Sequence, residues 1–174
     1  MAVENIYFTT VDTVRDNSNI HENVEGSIIK VSMIRTQALY FESVLGTPLY
    51  DKILADIKAD TLTGNYLTLM DSYILPCYFA YVEYMTIPHV LTQIRNKTVG
   101  TSNDSDIQST SEEGMNYLRE KALIVARKYQ ERLYNYLCED NGTNFPEFTQ
   151  SITDKDEIKP QNGRTGSFSF INGL

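Results

Sequence analysis

Apolar residues recur at three- and four-residue intervals through most of the chain, the spacing that keeps one face of a helix apolar. From Val24 to Leu45 the line runs Val24, Ile28, Val31, Ile34, Ala38, Phe41 and Leu45. Gly46 is expected to end that helix, because glycine takes a left-handed conformation without a steric penalty. The next helix starts at Thr47-Pro48, with Thr47 placed to cap free backbone N–H groups and Pro48 at the first helical position. Leu49, Ile53 and Ile57 form its apolar line, and it stops before Gly64. A one-residue gap between two helices forces an abrupt change of direction. Leu45, Gly46, Thr47, Pro48 and Tyr50 are therefore singled out as a structural corner.

Ahead of this pair lie a short extended start (Asn5 to Phe8) and a helix of about two turns. Thr9 is its expected N-cap, Asp12 sits in its first turn, and Asp16-Asn17-Ser18-Asn19 ends it. Tyr66 to Arg95 is apolar on nearly every side, which marks a central, buried helix. Pro76 should kink it, and Pro88 should kink or end it. Tyr66, Tyr73, Tyr78, Tyr81 and Tyr84 crowd this helix. Such a stripe packs with its hydroxyls at the rim, or else lines a ligand pocket or stacks bases. Asn96 to Thr110 reads as a polar loop. The last helix spans roughly Ser111 to Glu139, about 40 Å at ~1.5 Å per residue. Met115, Leu118, Ala122, Val125, Tyr129, Leu133 and Tyr136 lie along one side of it. Asn144 to Phe148 is a short apolar turn, and Thr153 to Gly166 is polar. Ser167-Phe168-Ser169-Phe170-Ile171 then alternates polar and apolar, the period of a strand with one buried face. The expected fold is all-α: a bundle of four to five helices with a long C-terminal helix, an extended N-terminal start and a flexible C-terminal tail. The helical domain takes residues 1–150 and the extended tail 151–174.

Charge narrows the function. Over 174 residues, 15 Lys+Arg stand against 23 Asp+Glu, a formal net charge of −8. Nucleic-acid affinity comes largely from Lys and Arg displacing counterions, so this surface is not built to grip phosphate. Docking on an anionic membrane face is disfavoured for the same reason. The N-terminus is too short and polar for a secretory signal, and Ile74 to Met85 falls short of a membrane span. The expectation is a soluble protein made in a cytoplasm. Two Cys and two His exclude a disulfide framework and a zinc site with Cys/His spacing. A single Cys77–Cys138 bridge stays open, with free thiols the simpler expectation.

Catalytic motifs are lacking: no Gly-x-Ser-x-Gly, Walker Gly-x-x-x-x-Gly-Lys, Gly-x-Gly-x-x-Gly or His-Glu-x-x-His occurs. His89 could serve as a general base with Glu83 or Glu42 beside it, against the simpler role of a helix-boundary residue bonded to backbone. Cys138 precedes Glu139-Asp140, whose charges disfavour the thiolate a nucleophile needs. Asp104-x-Asp106 opens like a calcium loop, but Ser109 and Met115 stand where Gly and Glu are required. A helix-turn-helix at Gly46-Thr47-Pro48 would present Asp51, Asp56 and Asp60 to phosphate. No enzyme activity, metal or cofactor is expected.

A resemblance adds to this reading. Thr10-Val11-Asp12, Asn23-Val24, Ile28, Ala38, Leu45-Gly46, Pro48-Leu49-Tyr50 and Ile53-Leu54 match a pattern of element lengths around one Leu-Gly corner. So do the central apolar helix, the long final helix and the Phe145–Phe148 turn. Together, over about residues 8–148, they resemble the head-to-tail connector (adaptor) proteins of tailed bacteriophages. The sequence is similar to the first ring protein below the portal in crAss-like phages. The resemblance implies a structural virion protein of the neck, assembled in the host cytoplasm as a closed ring of commonly twelve copies. That ring would sit under the portal protein, extend the DNA channel and dock the next ring or tail component. DNA would pass through without sequence-specific binding, and a negative lumen suits this passage. Phe168, Phe170 and Ile171 are the expected anchor to the portal or an adjacent ring. The alternative is a helical regulatory or protein-binding module, a dimer through the long last helix.

Overall fold

The structure, a computed structural model, describes residues 6–95, 98–101, 112–139 and 143–148. The boundary expected near residue 150 and the whole of the tail lie outside these residues.

Helix α1 (Val11–Asp16) starts one residue later than expected. Thr10, not Thr9, is the cap: its backbone is extended and its Oγ1 accepts the Thr13 N–H at 3.2 Å. Helix α2 (Gly26–Thr36) runs without a break through a π turn (Gln37–Phe41) into α3 (Glu42–Leu45). After Gly46 the chain enters α4 (Thr47–Ala59), which ends at Asp60 in the left-handed conformation. Helix α5 (Gly64–Leu69) passes through a second π turn (Met70–Ile74) into α6 (Leu75–Leu91). Here the Leu75 N–H bonds Met70 O, five residues back. The widened turn comes just ahead of Pro76, whose ring cannot donate and would crowd the carbonyl four residues earlier. The helix therefore continues past Pro76, and it continues three residues past Pro88. Helix α7 (Glu112–Cys138) is the long rod.

One part of the expected path is corrected. The central helix stops at Leu91 rather than Arg95, and β1 (Thr92–Arg95) pairs antiparallel with β2 (Thr98–Thr101), Thr92 opposite Thr101. Residues 98–101 are thus a strand, not the start of a polar loop. Thr92, Ile94, Thr98, Val99 and Thr101 are β-branched, stiff at χ1 and suited to a pleated surface. The remainder of that expected loop lies outside the described residues. Among the described residues the fold is a helical bundle carrying this one hairpin.

Helix α6 is the axis of the bundle, packed against both α2 and α7. Tyr78 is fully buried, edge-on to Phe8 and Phe41, and Tyr81 stacks on Tyr40 with ring centroids 4.1 Å apart. Their hydroxyls do not reach a rim, as the sequence suggested. They are bonded inside: Tyr78 donates to Gln37 Oε1 on the α2 side, and Tyr81 to Gln130 Oε1 on the α7 side. Burial pushes both phenols far above the usual tyrosine range. Tyr73 stacks on Tyr136 at 3.9 Å. Phe145, after α7, lies edge-on to Tyr66 and Tyr136, and Tyr66 donates to Glu147 at 2.7 Å. Burial, followed by that carboxylate, raises the Tyr66 hydroxyl to about 12. This turn locks the end of α7 onto the start of α5.

Candidate functional site

The corner has the expected position with a different construction. Leu45 is buried, and Gly46 takes φ 73°, ψ 149°, a region more restrictive than the left-handed helix and essentially reserved for glycine. Gly46 is itself the N-cap of α4, and its carbonyl accepts from Tyr50 N–H at 3.0 Å. Thr47 is already helical and its side chain makes no cap bond, so Pro48 follows at the second position. Tyr50, half-buried, lies edge-on to Phe8. The corner is a packing device, with no chemically reactive group in it.

The candidate base His89 faces Arg35, whose Nη1 lies 2.8 Å from its Nε2. Glu83 instead accepts from Asn19, through Nδ2 at 3.0 Å. One of the two carboxylates that would orient a catalytic imidazole is thus engaged elsewhere. Partial burial, then the Arg35 charge, holds His89 below its ordinary value of 6.5. The neutral ring accepts from Arg35. A depressed imidazole contributes stability that is present above about pH 6.5 and lost as pH falls through the folded value. Nuclear magnetic resonance should place the His89 midpoint below 6.5, and Arg35→Ala should raise it. A midpoint unmoved by that substitution would show that the arginine charge is not felt.

Cys77 is buried with its Sγ 4.0 Å from Ala126 O, and burial alone pushes its thiol up to about 12. Cys138 is exposed and twelve residues further along α7, about 18 Å at ~1.5 Å per residue. Both are free. Among the described residues no cluster of His, Cys, Asp or Glu could hold a metal ion, and no helix is long and apolar enough to cross a membrane. The Asp104–Asp106 segment and Phe168, Phe170 and Ile171 lie outside the described residues.

What the structure brings together is apolar surface. On α2 the buried side is Ile29, Ser32, Met33 and Thr36. The middle of the apolar line read from the sequence, Val31, Ile34 and Ala38, points the other way, with Val31 42% and Ile34 37% exposed, while Phe41 and Leu45 of the same line are buried. On α7 the buried side is Ala126, Leu133 and Leu137. The expected line again sits off the core through its first half: Leu118 is 52% and Val125 49% exposed, and Tyr129 is exposed as well. Both helices carry two apolar stripes, and spacing alone does not tell which one the subunit buries.

The α7 stripe forms the wall of a long groove. Two cavities of about 520 and 680 Å³ adjoin along this face, with Asn19, Ala80, Glu83 and Val125 lining both and Asn19 bonded to Glu83 between them. Its floor is the face of α6 bearing Pro76, Phe79, Ala80, Glu83 and Ile87, and its other wall is the stretch between α1 and α2. Tyr78, Met85 and His89 of α6 meet Gln37, Tyr40 and Arg35 on the α2–π-turn rod. At about 100° per residue, the groove floor is nearly half a turn away from them. The outer face of α2 and the groove therefore lie on opposite sides of the molecule, with α6 between.

The sequence profile of a family of unknown function (DUF6712) matches residues 41–158, more than half the chain. The chain belongs to the DUF6712 family. No curated protein and no solved structure matches it. The matched range holds the corner, the groove floor on α6 and the α7 wall. The outer face of α2 precedes it. The groove's other wall, from Thr13 to Val24, precedes it as well.

Proposed function

We propose that this protein is a structural virion subunit: copies close into a ring that joins the capsid portal to the tail and extends the DNA channel. The observation that carries the reading is the pair of unlike apolar faces on opposite sides of α6. A closed ring of identical subunits needs two different, complementary faces, whereas a two-fold dimer needs one self-complementary patch. Apolar side chains left half in water on two outer helices favour association, since burying them removes that surface from water. The net charge of −8 supports the same reading, because a lumen poor in cations gives passing DNA little to pair with. The alternating Phe168-Ser169-Phe170 segment is the proposed anchor to the portal or a neighbouring ring.

Deletion of residues 164–174 tests the anchoring arm of this proposal. The truncated protein should unfold at the temperature of the full chain and fail to join portal-bearing capsids. Wild-type occupancy of the capsids by the truncated protein would move the anchor to the helical body.

A further inference from the structure

We propose that the outer face of α2 of one copy seats in the α6–α7 groove of the next; this rests on the ring reading and assigns its subunit contact. Val31, Ile34 and Ala38 form a ridge about 10 Å long, and the groove floor from Pro76 to Ile87 runs about 16 Å, at ~1.5 Å per residue. The groove is apolar along Ala80, Ile87, Leu118 and Val125, so an amphipathic helix laid along it buries its exposed stripe. Charge selects the same pairing. Lys30 flanks the α2 ridge, with Glu42 one helical turn beyond Ala38, while the Arg35 guanidinium is held against His89 of α6. The groove is bordered by Asp16, Asp71 and Glu83, against Lys121 and His21. Lys121 Nζ is drawn over the Tyr117 ring at 5.2 Å. Lys30 on the ridge thus meets a border with an excess of carboxylates, which favours seating the ridge in the groove. Because ridge and groove lie on opposite sides of α6, each docking step leaves a free ridge at one end and a free groove at the other. Such contacts close into a ring when the rotation per step divides the circle.

Ile34→Glu and Val125→Glu test this in the full chain by sedimentation over a range of concentrations. Both positions are exposed, so the thermal unfolding of each variant should match wild type; Ile34→Ser and Val125→Ser provide milder versions. Wild type is expected to self-associate with rising concentration, and each Glu variant to do so more weakly by roughly tenfold or more. An equal mixture of the two Glu variants should form a one-to-one dimer and nothing larger, since only one ridge and one groove remain sound. A wild type that stays monomeric throughout overturns the docking, as does either Glu variant associating like wild type. If association is lost on deleting residues 164–174 but kept in Ile34→Glu, the tail is the occupant and the proposal fails. The ring reading fails separately, when the full chain does not join portal-bearing capsids.

Discussion

Gln37→Leu is expected to lower stability to denaturant by about 3 kcal/mol. Gln37 is buried where α2 becomes the first π turn, and its amide is used at both ends. Oε1 accepts the Phe8 N–H at 3.2 Å and the Tyr78 hydroxyl at 3.2 Å, while Nε2 donates to Ile6 O at 3.0 Å. One side chain therefore ties the extended N-terminal segment to α2 and both to the central helix. Leucine fills similar volume but leaves two donors and one acceptor unpaired in or near the core. Each unsatisfied buried group costs about 1–3 kcal/mol, and relaxation of the N-terminal segment into water offsets part of the sum. Adding Tyr78→Phe to Gln37→Leu should return about 1 kcal/mol, because the stranded hydroxyl is gone. Additive losses in that double variant would show that Gln37 and Tyr78 are not coupled.

Gly46→Val should cost about 2 kcal/mol or more. A β-branched side chain at φ 73°, ψ 149° collides with its own backbone, and such backbone strain costs of order 1–3 kcal/mol. Relief requires swinging α4 relative to α3, which would pull Leu45, Leu49 and Ile53 out of the core. Gly46→Ala should cost less, since a β-carbon is added without the two methyl branches of valine. An unchanged melting temperature for Gly46→Val would mean the corner adjusts freely.

These two positions show what was legible in the sequence. Gly46 was readable because its neighbours are apolar lines of helical period and only one residue separates them. The long last helix was readable within a residue at each end, from its acidic start and sustained period. Gln37 was not readable: a single polar residue between Thr36 and Ala38 gives no sign that three partners converge on it. The π turns escaped for a related reason, since a one-residue widening shifts the phase of the pattern without breaking it. The inward faces of the α2–α3 rod and of α7 were read only in part, at Phe41, Leu45 and Leu133, because each helix is apolar on two sides. Val31, Ile34, Leu118 and Val125 satisfy the helical period as well as Ile29, Met33, Ala126 and Leu137 do. A core-seeking reading cannot separate a face that packs within the subunit from one that awaits a partner.

That ambiguity bears directly on the ring proposal, whose most direct test is the mass of the full chain bound to purified portal. The account predicts a closed ring of defined copy number, commonly twelve, that assembles on the portal and dissociates when either Ile34→Glu or Val125→Glu replaces wild type. A chain that does not bind portal, or that is recovered only as a free two-fold dimer, would contradict it.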